Sequence, residues 1–254
     1  MMNQNKWLVI PTPRPAARII LLCFPFAGGS SHSFRGWAPI LPPSVELRAV
    51  ELPGHGTRLS EPLAEDIHEL IEPIARGIAS SLDKPFAIFG HSMGALLGFE
   101  VALYLQNKLN KRAEHLFVSG HGAPGTPRHE PEIHHLPKPQ FLAKIKEYNG
   151  TPKEALENKE LMDLMFPILK ADFKICETYA HKNSGLLNTP LTALGGIQDP
   201  STPREDLEKW RSFTTQSFNI RLFPGDHFYL LQQKVNLLKA ILTDISSHFN
   251  LANT

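Results

Sequence analysis

The chain has 254 residues, long enough for one sizeable core in a single domain. Its 26 Lys+Arg against 25 Asp+Glu leave a formal charge of +1, which argues against a dedicated nucleic-acid binder. No run approaches the roughly 20 apolar residues of a membrane span. The two cysteines, Cys23 and Cys176, imply no disulfide framework, so a reducing cytosol is the expected compartment.

In chain order, the first element is the apolar run Ile19–Phe24. Arg14 and Arg18 before it and Ala27-Gly28-Gly29 after it mimic a signal peptide. The run is six residues long and stops at Pro25, short of the ~7–15 residues of an h-region. It reads as a buried strand in which Cys23 is a small hydrophobe. Similar runs recur at Leu47–Glu51, Phe86–Phe89, Leu116–Ser119, Leu191–Leu194 and Ile220–Phe223. Each is short, apolar and followed by Gly or Pro, as parallel strands buried on both faces are. Between them lie helical patterns: Asp66–Leu82, with Ile67, Leu70, Ile71, Ile74 and Ile78 near one face, then Ala95–Leu109, and finally Leu230–Phe249. Alternating strand and helix predicts an α/β fold with a mostly parallel twisted sheet and helices on both faces.

The alternation stops between Gly125 and Asn188. Pro124, Pro127, Pro131, Pro137 and Pro139 open this stretch. Helical patterns follow at Gln140–Tyr148, Lys153–Phe166 and Ile168–Ala180, with Pro167 expected to break or kink the last two apart. We expect a core of residues 1–124 and 189–254 and an inserted helical lid of residues 125–188. Ligands of open α/β sheets bind outside the carboxyl ends of the strands, where such an insertion sits. The alternative is an extra helical layer that enlarges the core.

Phe86–Phe89 leads into Gly90-His91-Ser92-Met93-Gly94 and then a helix. Strand, G-x-S-x-G, helix is the setting of a nucleophile elbow. The turn is so sharp that only glycine fits at Gly90 and Gly94, and Ser92 is held with its hydroxyl exposed. A serine needs a base, usually a histidine oriented by a carboxylate. In this arrangement the order is Ser, acid, His, each after a strand. Among twelve histidines, His227 ends Ile220–Phe223 directly before the last helix. His248 lies deep in that helix, His91 is the variable elbow position, and His134 and His135 read as solvent-exposed loop residues with no matching metal-ligand set. His32 and His55 follow early strands, and chain order disfavours both as the base. The acid is Asp199, which follows Leu191–Leu194 through Gly195-Gly196. Its rivals are Asp226, whose side chain diverges from its neighbour His227, and Asp206, which reads as an exposed helix start. An oxyanion hole takes the N–H of Met93 and one from the loop Pro25–Ser31, Phe26 or Ala27. Gly28-Gly29 lacks the P-loop lysine and the G-x-G-x-x-G spacing, so a nucleotide is not expected there.

Taken together, the chain resembles the type II thioesterases of the α/β-hydrolase superfamily. These are stand-alone editing enzymes of polyketide and non-ribosomal peptide synthesis, similar to the medium-chain thioesterase of animal fatty acid synthase. The resemblance spans nearly the whole chain. It is carried by Cys23–Ser30, Leu52-Pro53-Gly54-His55-Gly56-Thr57-Arg58, Phe89–Gly94, Phe166–Phe173, Gly195–Asp199 and Pro224–Leu230. Lys170 departs from it, since the family often has Arg before Ala-Asp; the charge is kept and the planar fork lost.

The resemblance implies hydrolysis of acyl groups held on phosphopantetheine thiols of acyl or peptidyl carrier protein domains. Ser92, Asp199 and His227 would be the triad, with no metal and no cofactor beyond the phosphopantetheine of the substrate carrier. It implies a cytoplasmic protein, expected to be a monomer. Met162, Met165, Phe166, Leu169 and Phe173 are candidates for the wall of an acyl chamber, alongside simple packing. Residues 126–185 carry nine basic and nine acidic side chains, so no charge excess marks a docking face there. The competing activity is a carboxylesterase or lipase-like hydrolase acting on free small esters or acyl-CoA. A non-catalytic binding protein that kept the fold is disfavoured by the complete, ordered triad.

Overall fold

Six apolar runs and one short edge strand make a single sheet in the computed structural model, which describes residues 5–148, 150, 153–182 and 185–249. The strands are β1 (Leu8–Val9), β2 (Ile19–Phe24), β3 (Val45–Val50), β4 (Phe86–His91), β5 (His115–Ser119), β6 (Leu191–Gly196) and β7 (Phe218–Phe223). Their spatial order is β1-β3-β2-β4-β5-β6-β7; only the β1–β3 pair is antiparallel. This is the α/β-hydrolase type of architecture expected from the sequence.

Strand side chains alternate between two cores. Ile20, Leu22 and Phe24 face one cluster with α1 (Ile67–Ala79) and α2 (Met93–Leu109); Ile19, Leu21 and Cys23 face the other. Two-sided burial is why these runs lack a polar face. Asp66 caps α1 by accepting from the His68 N–H, and Ile67, Leu70, Ile71, Ile74 and Ile78 are buried along it. The second core is closed by α7 (Tyr229–Gln232) and α8 (Lys234–Phe249).

Between β5 and β6 lie α3 (Lys138–Glu147), α4 (Lys153–Glu157) and α5 (Lys159–Thr178); α6 (Arg204–Glu208) follows β6. Ile133, Phe141, Ile145, Met162 and Leu169 form a third apolar cluster here, distinct from the two sheet cores. Of the expected core and insertion ranges, residues 1–4, 149, 151–152, 183–184 and 250–254 lie outside the described residues, as does the side chain of His248. No helix among the described residues is long and apolar enough to cross a membrane.

Three local expectations are corrected. Pro167 does not separate two helices, because α5 runs through it. Its missing N–H would have bonded the Asp163 carbonyl, but both residues are exposed, so that carbonyl is open to hydration, while buried Met162, Ile168 and Leu169 hold the helix on both sides. Leu230–Phe249 is not one helix but breaks at Gln233. Tyr229 is stacked on Phe223 and bonded to Ser119, which fixes α7, whereas α8 follows its own buried face of Leu237, Leu238, Ile241 and Ile245. The strand expected from Leu47 begins at Val45: buried Glu46 and Arg48 pair with each other at 2.5 Å and so enter the sheet.

The sheet order reverses beside β2. The chain goes from β2 to β3 on one side and returns to β4 on the other. The carboxyl ends of β2 and β4, registered at Phe24↔Gly90, therefore bound the crevice where open α/β sheets bind ligands.

Candidate active site

Ser92 sits between β4 and α2 at φ 53°, ψ −118°, a conformation that non-glycine residues rarely adopt. The flanking glycines make it possible. A Cβ on Gly90 would lie 2.7 Å from the Ala95 nitrogen, and one on Gly94 would lie 2.7 Å from the Pro25 carbonyl oxygen. The Ser92 N–H donates to the Ser119 carbonyl at 2.7 Å, anchoring the elbow to β5. Met93, next in the chain, begins α2, so its N–H lies among the unpaired donors of a helix N-terminus.

His227 and Asp199 arrive from the loops after β7 and β6. His227 Nδ1 donates to Asp199 Oδ2 at 2.8 Å. The other carboxylate oxygen accepts from the N–H and the hydroxyl of Ser201, at 2.9 and 2.6 Å. Burial pushes the Asp199 carboxyl up, but the hydrogen bond and charge of His227 and the Ser201 donors outweigh it and hold it below the usual carboxylate range. Asp199 is therefore an anion that fixes the imidazole's tautomer and leaves Nε2 as the basic nitrogen. Ser92 and His227 line the same cavity. Among the described residues no hydrogen bond joins their side chains; such bonds are often long before substrate arrives.

The rival acids have other work. Asp226 Oδ1 accepts from the Phe228 N–H and its carbonyl from the Tyr229 N–H, which starts α7. Asp206, expected to be exposed, is buried and pairs with His129 at 2.5 Å and Lys209 at 2.7 Å. His129, 77 positions upstream, and the Ala123 N–H, which donates to the Asp206 carbonyl, close over its short helix, and no local pattern announces them.

The loop after β2 forms a turn. The Gly29 N–H donates to the Phe26 carbonyl at 2.8 Å, and Gly28 has φ 73°. The Gly28 N–H donates to Asp172 Oδ2 of α5 at 2.7 Å. Two of the four N–H groups of this turn are thus engaged, and among the described residues those of Phe26 and Ala27 have no protein acceptor.

These groups face a cavity of about 330 Å³, lined on the α5 side by Leu161, Met162, Met165, Leu169, Phe173 and Cys176. Phe166, also a candidate from sequence, lies elsewhere: its ring packs on Phe141 at 5.5 Å inside the third apolar cluster. The helical period does not announce the split, since Phe166 is i+4 from Met162 and i−3 from Leu169; packing on Phe141 takes its ring out of the cavity wall. Lys170 lies over the Phe166 ring at 5.8 Å, away from the cavity lining. Burial pushes the Cys176 thiol well up, which leaves it protonated and unreactive.

Several contributors escaped the sequence reading. Ser201, two residues after Asp199, is an Asx-type turn that a local reading could have found. Tyr148 of the α3 end approaches His227 with ring centroids 6.5 Å apart, and its hydroxyl donates to Glu130. His91, the variable elbow position, is buried. Its Nδ1 meets Ser119 Oγ at 2.8 Å, its ring lies 5.0 Å from His227, and burial with the His227 charge pushes its pKa well down, so it is neutral. His134 is not a free loop histidine, because its Nδ1 contacts the buried carboxylate of Glu177. His134 also falls with Glu132 and His135 in a group whose ligand atoms lie within 4.8 Å of one another, a possible cation cluster that sequence spacing did not suggest. It is not part of the cavity wall.

An activated serine, a base held by an anion, free amide donors and an apolar chamber together suit acyl transfer to Ser92 and then to water. Residues 19–246 match the Thioesterase domain family. The chain is 39% identical over 249 residues to the linear gramicidin dehydrogenase LgrE of Brevibacillus parabrevis, covering 97% of this chain and 95% of that one. It is 37% identical to the thioesterase PikA5 of Streptomyces venezuelae, covering 97% and 86%. Among solved structures, the type II thioesterase BorB of the borrelidin biosynthetic cluster superposes with a TM-score of 0.87 at 32% identity, covering 94% of this chain and 97% of that one.

Proposed function

The chain belongs to the Thioesterase domain family, and we propose that it is a serine thioesterase that releases aberrant or stalled acyl groups from the phosphopantetheine thiols of carrier-protein domains. The observation that carries the catalytic part is the meeting of strained Ser92, the His227–Asp199 pair at 2.8 Å and the Phe26–Gly29 turn at one cavity. The type of substrate comes from the relatives, among them BorB of a biosynthetic cluster and the thioesterase PikA5.

In this mechanism His227 Nε2 takes the Ser92 proton as Oγ attacks the thioester carbonyl. Asp199 stabilises the imidazolium that forms. The Met93 N–H and that of Phe26 or Ala27 hold the oxyanion. The thiol leaves with the proton from His227, which then activates water against the acyl-serine. Phosphopantetheine belongs to the substrate, and the enzyme uses no metal or cofactor of its own. Residues 125–188 act as a lid whose α5 face forms the acyl chamber. The protein works as a monomer in the cytoplasm, where free Cys23 and Cys176 stay reduced. Hydride transfer, which the name of the Brevibacillus relative invites, finds no G-x-G-x-x-G fingerprint at Gly28-Gly29.

The test compares hydrolysis of an acyl-loaded carrier protein, the matching acyl-CoA and a nitrophenyl ester of the same acyl group. The carrier is expected to give the highest kcat/KM. A clear preference for the free ester would replace this reading by a small-ester hydrolase.

A further inference from the structure

We propose that Asp172 and His55 are positioning residues: together they clamp the loop that carries the oxyanion donors to helix α5, so that the acyl-chamber wall and the oxyanion hole move as one body. This rests on the proposed role of Ser92 as nucleophile.

Asp172 and His55 are 117 positions apart in sequence, yet both are buried, with side chains 2% and 4% exposed. Asp172 Oδ2 accepts from the Gly28 N–H at 2.7 Å and meets His55 Nε2 at 2.9 Å. His55 Nδ1 lies 2.9 Å from the Pro53 carbonyl, which can only accept. Both ring nitrogens therefore face acceptors, and a doubly protonated ring satisfies both. Burial opposes that charge on His55, but the hydrogen bond and charge of Asp172 outweigh it and raise the imidazole's pKa. A charged pair this deep persists only when its geometry is held tightly from all sides.

The packing points the same way. The Gly28 backbone lies so close to α5 that a Cβ there would sit 3.3 Å from Leu169 Cγ and 3.8 Å from Met165 Cε. Met165, Leu169 and Asp172 fall at i, i+4 and i+7, one face of α5. Met165 and Leu169 also line the cavity. One helix face thus carries both the chamber wall and the anchor of the turn. By taking the Gly28 N–H, Asp172 fixes the Ala27–Gly28 peptide plane, and with the Gly29-to-Phe26 bond it leaves the Phe26 and Ala27 donors on a rigid turn. An oxyanion hole depends on such preorganisation, and a displacement of about 1 Å costs on the order of 100-fold in rate.

The test uses a fluorophosphonate probe, which is attacked by the serine with loss of fluoride and so needs the oxyanion hole but no natural substrate. Asp172→Ala is expected to slow Ser92 labelling and to lower kcat by roughly 10- to 100-fold, with KM little changed. Asp172→Asn, whose amide oxygen can still accept from Gly28, restores most of the rate. His55→Ala acts in the same direction and non-additively with Asp172→Ala, and it stands in if the latter fails to fold. Leu164→Ala, an exposed α5 position off the cavity and off the clamp, spares the labelling rate. The clamp is overturned if Asp172→Ala labels as fast as wild type, if Leu164→Ala slows labelling equally, or if KM rises at constant kcat. Absence of labelling at Ser92 in the wild type would overturn the nucleophile itself, and the clamp with it.

Discussion

Among single residues, the assignment most open to challenge is the acid. Asp199 and Asp206 lie seven positions apart and both carry histidine partners, His227 for the first and His129 for the second. Geometry separates them: both histidines line the cavity, but Asp199 holds His227, whose ring lies 5.0 Å from His91 beside Ser92, whereas Asp206 holds His129, whose side chain is 44% exposed. Asp199→Asn is expected to lower turnover by roughly 10³–10⁴-fold through loss of the correct tautomer. Asp206→Asn, which loses a structural contact to Lys209, should cost less than about tenfold. Steady-state kinetics on both variants decides between them, and the opposite pattern would move the acid to Asp206. At this scale the sequence was informative where chemistry depends on local order. Ser92, Asp199 and His227 each follow a strand, and those strands could be read from their apolar runs. It was silent where a role is set by a partner far along the chain: Asp172 was one acid among nine in residues 126–185 until the fold brought it to His55 and Gly28.

Among elements, the parallel strands were the most legible, because burial on both faces leaves no polar alternation to confuse them. β1 was not, since a two-residue edge strand has no period. The helices were legible by face but not by continuity. α5 passes through Pro167 because the lost hydrogen bond faces water, while α8 is separated from α7 by competing buried contacts rather than by any breaker residue. The insertion between β5 and β6 has its own apolar cluster, and Phe141 is wholly buried at its centre, edge-on to Phe166 and Phe173. Phe141→Ala should cost about 3–5 kcal/mol, felt mainly in this segment. Amide exchange is expected to quicken across α3 and α5 and to stay unchanged in β2, β4 and β5. Uniform quickening would show instead that the insertion and the sheet unfold as one unit.

For the whole molecule, position does much of the work. The strand order reverses beside β2, and the elbow after β4 and the turn after β2 meet at that reversal. The insertion lines the same cavity, so Ser92, His227, the Phe26–Gly28 turn and the apolar α5 face are gathered by topology. The architecture class was readable in advance from the rhythm of strands and helices; the closing of α5 onto the Phe26–Gly29 turn was not, because it is a contact between segments about 140 residues apart. If the proposed function holds, this gathered site passes an acyl group through Ser92. The most direct measurement is intact-protein and peptide mass spectrometry of enzyme acid-quenched within milliseconds to seconds of mixing with acyl-loaded carrier protein. An acyl adduct is expected on the peptide containing Ser92, lost in Ser92→Ala together with hydrolysis. Hydrolysis that continues in Ser92→Ala, or an adduct on any other residue, would contradict it.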